Sequence, residues 1–304
     1  MFVRRRCWER LRTPIAASDT LVVNEREMIS ILVMTLNEEK NLPGCLDTVR
    51  WSDDIHVFDS YSSDRTNEIA QEYGAKVWFR KLDNWAQHQN WGLANIPFRY
   101  PWVFYLDADE RVTPKLAAAM QRTVQEPSDN VAFRVRRRDF FLDTWLKHVQ
   151  MTAFYERLFR PDKMHYERLV NPVSVPDGPV ATVEGYLDHY PFSKGITDWV
   201  NRHNSYSTNE ALQILADSAA DKPFDLRGVL FERDPYERRR NMKKLYYRMP
   251  FRPLIKFVVM YFLKRGFLDG AAGFIYAALI AYYETLISFK TDELRRQARV
   301  AARS

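Results

Sequence analysis

Two aspartates, Asp107 and Asp109, close the apolar run Trp102-Val103-Phe104-Tyr105-Leu106. In an extended chain, residues two apart point the same way, so both carboxylates reach one side of a strand end. Two oxygen ligands placed like this suit a hard divalent cation, Mg2+ or Mn2+, which holds few protein carboxylates and shares phosphate oxygens. Such an ion stabilises the charge that develops on a departing diphosphate. A plainer reading stays open: Asp107-Ala108-Asp109-Glu110 caps the helix that begins near Thr113-Pro114. A second polar cluster, Asp59-Ser60-Tyr61-Ser62-Ser63-Asp64, follows the short apolar run Ile55–Phe58. Asp and Ser are also ordinary turn residues.

The elements that position these clusters alternate. Residues 29–36 form an eight-residue apolar run rich in branched side chains, the pattern of a buried parallel strand. A helical pattern follows through Leu42, Cys45, Leu46 and Val49. Ile55–Phe58 is a strand, Thr66–Tyr73 a helix capped by Gly74, Lys76–Phe79 a strand, 86–95 a helix and Trp102–Leu106 a strand. This βα alternation predicts a mostly parallel sheet with right-handed crossovers, in which ligands bind at the carboxyl ends of the strands. Both polar clusters fall at such ends. Residues 131–138 and 157–160 read as further strands, 165–190 as short strands and loops, 199–220 as a helix and 221–250 as a charged connector.

The chain has 304 residues, of which 46% are hydrophobic, enough for one large α/β domain with a helical appendage. Its two cysteines, Cys7 and Cys45, form no metal-ligand spacing and suit a reducing compartment. The net charge of +6 calls for an acidic partner: nucleic acid, anionic lipid or a phosphorylated substrate. Arginine runs at 4–6, 136–138 and 238–240, with four arginines near the end, lie beside apolar segments and favour membrane contact. No helix-turn-helix, zinc module or aromatic RNA-binding strand accompanies the charge, so nucleic acid is not the expected partner. A Gly-rich, Lys-bearing phosphate loop, usual in nucleotidyl transfer, is also missing. Residues 1–28 read as a basic N-terminal extension, since no apolar stretch of a secretory signal follows Met1–Arg12.

Three ordered blocks carry a resemblance: Thr35-Leu36-Asn37-Glu38-Glu39, Asp59 to Thr66, and Tyr105-Leu106-Asp107-Ala108-Asp109-Glu110-Arg111. Together they resemble the family-2 glycosyltransferases, and within them the bacterial lipopolysaccharide-core and exopolysaccharide branch. Gln89–Leu93, Glu156–Arg160 and Trp199–Ser207 fit the same branch, so the likeness runs from about residue 29 to about 290. It implies a GT-A fold over residues 29–190, Rossmann-like, with a mostly parallel sheet and flanking helices. A helical, membrane-proximal region follows over 191–304. It implies a hexosyltransferase-type enzyme that takes a sugar from a nucleotide-sugar donor, UDP by default, and gives it to a glycan or glycolipid acceptor. The setting implied is the cytoplasmic inner face of the plasma membrane, to which the protein is held peripherally.

By the same resemblance, Thr35, Asn37 and Glu39 approach the base and ribose, and Asp59 hydrogen-bonds the base. Asn90 and Asp107 lie on the donor side, Asp109 binds the metal that bridges the phosphates, and Arg157 contacts a phosphate. Inverting transfer needs a general base for the acceptor hydroxyl. Many members of the family place a His-Glu pair some way after the strand resembling Arg157–Arg160. This chain reads Leu169-Val170-Asn171-Pro172 there. The remaining base candidates are Glu156, Asp139 and Asp188, of which Glu156 has Arg157 beside it and Asp188 has His189. Transfer to a polyprenyl phosphate and a non-catalytic scaffold of the same fold are the alternative readings.

Near the end, residues 254–263 are apolar but about ten long, and Lys264-Arg265-Gly266 interrupts them. Residues 267–289 are apolar except for Asp269 and Glu284. A spanning helix needs about 20 apolar residues with few charges, so helices lying in the interface plane are expected. Buried helices packed on the catalytic domain are the other reading. Gly266, Gly270 and Gly273 offer close helix packing or a homodimer contact.

Overall fold

The computed structural model describes residues 29–150, 153–167, 172–220, 245–247 and 249–301. The basic extension 1–28, the arginine run 238–240 and Leu169-Val170-Asn171 lie outside the described residues.

The first part of the chain alternates as its pattern predicts. Strands β1 (Ile29–Thr35), β2 (Ile55–Asp59), β3 (Lys76–Phe79) and β4 (Trp102–Asp107) alternate with helices α1 (Leu42–Asp47), α2 (Thr66–Glu72) and α3 (Trp85–Asn95). Then come β5 (Glu110–Val112), α4 (Pro114–Gln125), β6 (Ala132–Phe141), β7 (Thr144–Trp145), β8 (Ala153–Phe159), β9 (Met164–Glu167), β10 (Val173–Pro176) and β11 (Val180–His189). The main sheet has the order β3-β2-β1-β4-β8-β6-β11-β5, with β7 beside β6 and β9–β10 a separate hairpin. The first four strands are parallel, β8 runs antiparallel between β4 and β6, and β11 runs parallel to β6.

Why these residues choose strands is visible in β1, which is buried along its whole length between β2 and β4. Side chains alternate across it. Ile29, Ile31 and Val33 join a core with Leu42, Leu46, Leu116 and Met120 from the helices of one layer. Leu32 and Met34 join Phe58, Ala86, Ile96 and Phe159 on the other. Each such side chain contributes about 1.5–3 kcal/mol by leaving water, and the sheet is sealed on both faces.

Strand β11 is longer than the Pro- and Gly-punctuated segment 165–190 suggests. Its register against β6 shifts between Thr182 and Tyr186, and Gly185 in that bulge has φ +114°. A β-carbon there would come within 2.7 Å of the Leu116 α-carbon and 2.8 Å of its backbone nitrogen. Glycine thus lets the first turn of α4 rest on the strand.

Helices α5 (Ile196–Ala220), α6 (Arg252–Val258) and α7 (Gly270–Ala301) follow, with a π-helical turn Val259–Leu263 and a 3-10 turn Gly266–Asp269 between the last two. Residues 270–289 are therefore part of one helix of 32 residues, longer than the sequence pattern shows, and 267–269 lie in the 3-10 turn before it. One side of that helix packs on the end of β6 and the loop after β7: Ala272, Tyr276 and Ala277 join Phe141, Leu146, Val149 and Met260. The charges that interrupt the apolar pattern have partners. Asp269 accepts from the backbone N–H groups of His148 and Val149 at 2.9 and 2.8 Å. Glu284 pairs with Arg252 at 2.9 Å, both nearly buried. Gly266 and Gly273 serve packing within the chain: a β-carbon on Gly266 would meet the Met260 carbonyl, and one on Gly273 the Gly266 carbonyl.

Candidate active site

Register brings the sequence-predicted residues to one rim. Thr35 pairs with Asp59 and Met34 with Asp107, so the ends of β1, β2 and β4 arrive in step. The loops after β1 and β2 then lock together. Asp59 is fully buried; its oxygens accept from Thr35 Oγ1 at 2.7 Å, the Ser62 backbone N–H at 2.7 Å and Ser62 Oγ at 2.5 Å. Asn37, at φ +56°, accepts from the Ser63 N–H at 2.8 Å, and the Glu39 N–H donates to Asp64 at 3.1 Å. Tyr61 also sits at positive φ, +64°, which a bulky residue adopts only where the surroundings hold it. Glu38 pairs with Lys194 at 2.6 Å; its burial raises its pKa, against the pull of that lysine.

The end of β4 is a charged network. Asp107 accepts from Tyr105 Oη at 3.1 Å, whose oxygen in turn accepts from Gln89 Nε2 at 3.0 Å. Its other oxygen accepts from Arg157 at 2.7 Å. The same Arg157 nitrogen reaches Glu110 at 2.8 Å, and Glu110 accepts the Asp107 backbone N–H at 2.9 Å. The run Asp107–Glu110 therefore does not cap the next helix. Thr113 does, accepting from the Leu116 N–H at 3.3 Å. Burial raises the pKa of the fully enclosed Glu110, while Arg157 works against that rise. Burial likewise opposes the charge on Arg157, and Asp107 and Glu110 more than compensate, keeping the guanidinium protonated.

Arg157 stands at an irregularity that its sequence does not announce. Phe133 pairs with Leu158 but Arg134 with Glu156, so Arg157 is the extra residue of a bulge in β8. The guanidinium lies 4.5 Å from the centre of the Tyr105 ring.

A third group completes the site. His189 pairs in register with Asp139 on one side and Glu110 on the other, so the three strands β6, β11 and β5 present one row of ionisable groups. His189 Nδ1 bonds Asp139 at 2.5 Å, and its Nε2 lies 3.5 Å from Asp109. Burial disfavours the imidazolium, yet Asp109, opposed by Arg137 and helped by Asp139, raises its pKa to about 9. Burial also disfavours ionised Asp109, yet the His189 charge holds it at about 2. Arg137 lies 3.1 Å from Asp139.

The three base candidates separate. Glu156 is held by Arg134 at 2.8 Å. Asp188 is held by Arg138 through two bonds of 2.6 and 2.8 Å, on the face of β11 opposite His189. Only Asp139 joins the carboxylate network, where its bonds to His189 and Arg137 fix the imidazole. Asn90 is elsewhere: it clamps β9, donating to the Tyr166 carbonyl at 2.9 Å and accepting its N–H at 2.8 Å. The arginine run 136–138 is divided by strand parity. Strand alternation sends Arg137 inward, and Arg136 and Arg138 lie over Tyr186, 5.3 and 4.6 Å from its ring centre. Glu110, Arg137 and Tyr105 are site residues that the motif reading passed over. Strand parity alone, with 137, 139, 187 and 189 on one face, points to Arg137.

Whether a divalent cation suits these residues depends on the donor set. Among the described residues no group of three or more His, Cys, Asp or Glu is placed to enclose an ion. Asp107, its side chain 38% exposed, and the ionised Asp109 instead offer oxygens two residues apart. That set fits Mg2+ or Mn2+ arriving with phosphate oxygens of its own. Beside the carboxylates runs a cleft of about 440 Å³, lined by Asn41, Arg111, Phe140, Leu142, Tyr190 and Phe192 among others. The aromatic pair Phe140 and Tyr190 stacks at 5.4 Å on its wall.

This arrangement, acidic groups at the rim of a Rossmann-like sheet behind two interlocked loops, is that of a GT-A glycosyltransferase. Residues 30–184 match the profile of glycosyl transferase family 2, half of the chain, and the chain belongs to that family. A lipopolysaccharide core biosynthesis glycosyltransferase, LpsC of Rhizobium meliloti (strain 1021), is 25% identical over 272 residues, covering 86% of this chain and 91% of its own length. An uncharacterized glycosyltransferase of Rickettsia bellii (strain RML369-C) is 21% identical over 290 residues, 91% of this chain and 90% of its own. Solved structures are more distant. Glucosyl-3-phosphoglycerate synthase from Mycobacterium tuberculosis, crystallised with Mn2+, UDP and glucosyl-3-phosphoglycerate, gives a TM-score of 0.30 at 20% identity. That match covers 37% of this chain and 43% of the synthase, less than half of its length. S. aureus TarS (1–349) gives 0.37 at 10% identity, covering 88% of this chain and 91% of that one.

Proposed function

We propose that this chain is an inverting glycosyltransferase that moves a sugar from a UDP-sugar to a lipid-linked or lipopolysaccharide-type glycan, working at the cytoplasmic face of the inner membrane. The observation that carries the reading is the row of Asp107, Asp109 and Glu110 with Arg157 at the strand ends, beside the Asp59 turn. The Thr35–Glu39 loop and the Asp59 turn form the nucleoside end. Asp107 and Asp109 would hold a divalent cation, which would supply Lewis-acid neutralisation of diphosphate charge. Arg157 fixes the rotamer of Asp107 and pairs with Glu110, and His189 with Asp139 orients Asp109. The aromatic cleft along Phe140 and Tyr190 receives the acceptor, apolar ring faces of a sugar lying against the aromatic wall. The name of the Rhizobium relative supports a lipopolysaccharide acceptor.

The test is UDP release from UDP-sugars with and without Mn2+ or Mg2+, together with thermal stabilisation by the donor, which reports affinity. Metal-dependent release that disappears in Asp109→Asn is expected. Normal turnover in that variant would refute the assignment.

A further inference from the structure

The outer side of the C-terminal hairpin is built unlike the rest of the surface. Phe251, Leu254, Val258 and Phe262 recur at spacings of three and four, the stripe of one helix face, through α6 and the π-helical turn. All four are exposed, Phe251 at 77% and Leu254 at 62%. The stripe continues into Leu263, 73% exposed, and into Phe267 and Leu268 of the 3-10 turn. Ring contacts make it continuous: Tyr261 lies 5.1 Å from Phe262, 6.3 Å from Phe267 and 5.5 Å from Phe274. An apolar patch of this kind on a soluble surface marks an interaction site.

Charge says what covers it. Residues 251–268 contain Arg252, Lys256, Lys264 and Arg265 and no acidic residue. Arg252 is taken up by Glu284, which leaves three cations at the margin of the apolar stripe. Burial first, and then the charge of Lys256, lowers the pKa of Lys264, so two of these cations are close enough to repel. Aromatic and aliphatic side chains flanked by long basic ones, whose stems lie along apolar surface, are the composition of a surface that enters lipid headgroups.

The alternative of a span is not favoured by the packing. By length and composition the segment Gly266–Ala301 could cross a bilayer. Yet one face of α7 is packed on Phe141, Leu146 and Val149 of the catalytic domain, and farther along Lys290 donates to the Asn204 carbonyl at 2.5 Å. That helix is part of the globule.

We propose that the edge formed by Phe251, Leu254, Phe262, Leu263, Phe267 and Leu268, with Lys256, Lys264 and Arg265, inserts into the headgroup layer of an anionic bilayer. The inference rests on the membrane-surface reading above and adds which face enters, at what depth, and which lipid charge it selects. It makes the protein monotopic.

The experiment is co-sedimentation of the full chain with vesicles of phosphatidylcholine alone or with phosphatidylglycerol, alongside UDP release from free donor. Binding to the anionic vesicles, weakened by salt, is expected. The variant Leu263→Ser/Phe267→Ser should lose about tenfold or more in partitioning to them. Lys256→Gln/Lys264→Gln/Arg265→Gln should lose a similar factor on anionic vesicles, with little change on neutral ones. Both variants should keep the wild-type melting temperature and UDP release. Equal binding by wild type and variants, or none by wild type, overturns the inference while leaving the donor reading intact. A lipid-free dimer that the first variant converts to monomer overturns it too, since a second copy would then cover the edge. Vesicle binding as expected without any metal-dependent UDP release would instead refute the glycosyltransferase assignment alone.

Discussion

The two ends of the proposed donor rim are made of different material. At the Asp59 turn, one buried carboxylate is surrounded by neutral donors from Thr35 and Ser62, and neighbouring loops are tied by backbone bonds. At the Asp107–Glu110 corner, the same sheet gathers several carboxylates, two arginines and an imidazolium within ion-pair distance of one another. The first end is held by hydrogen bonds worth about 1 kcal/mol each. The second is held by charges that must stay paired, because an uncompensated buried ion costs several kcal/mol. A rigid hydrogen-bonded floor would suit the proposed uncharged base, whereas balanced charge could be redistributed when phosphates and a cation arrive.

That contrast can be broken at either end. The largest effect is expected from Asp109→Asn, which should lower the transfer rate by at least about 10²-fold, as losing one preorganised electrostatic group does; steady-state UDP release measures it. Next comes Arg157→Met. It leaves Asp107 and Glu110 facing each other and should destabilise the fold by about 3–5 kcal/mol, read by urea denaturation at neutral pH. If Arg157→Met unfolds no more easily than wild type, the corner is not held by paired charge.

The pH dependence has a defined sign. His189 is raised from 6.5 to about 9 in the folded protein. Its contribution is complete below about pH 6.5 and is lost as pH rises through about 9. Asp109, lowered to about 2, contributes above its usual value near 4 and loses that contribution as pH falls through about 2. The two report one shared interaction, worth on the order of 2–3 kcal/mol. Denaturation midpoints for wild type should therefore fall between pH 7 and 9.5, and those of His189→Gln should fall less. The smallest effect belongs to the hydrogen-bonded end: Asp59→Asn keeps the shape but turns an amide donor toward groups that already donate to it, costing about 1–3 kcal/mol and weakening UDP more than pyrophosphate in calorimetry.

Of the four parallel strands, β1 and β4 were legible as long apolar runs buried between neighbours, while β2 and the edge strand β3 are shorter runs placed by the helical patterns around them; the Asp-x-Asp spacing marks the end of β4 at which the proposed site lies. The partners of those aspartates were harder to see. Arg157 owes its place to a bulge, which leaves no mark in residue type. The triplet Arg136–Arg138 reads as a surface patch until strand parity separates Arg137 from its neighbours. His189 and Asp139 are 50 residues apart, and only the parallel pairing of β6 with β11 makes them neighbours. The helix α7 was underestimated because Asp269 and Glu284 interrupt its apolar pattern, though each charge is satisfied by a distant part of the chain.

One consequence follows from the missing side chain at position 185. Because the Leu116 backbone occupies the space a methyl group would need, the seat of α4 on β11 depends on that absence. The strand β5, which carries Glu110, runs directly into the cap of α4, and Thr113 hangs from the Tyr186 carbonyl at 2.7 Å. A single methyl at Gly185 would therefore act as a wedge at a distance, lifting the helix and dragging the acidic corner with it. Such a lesion would look like a defect in donor handling while touching none of the groups proposed to handle the donor.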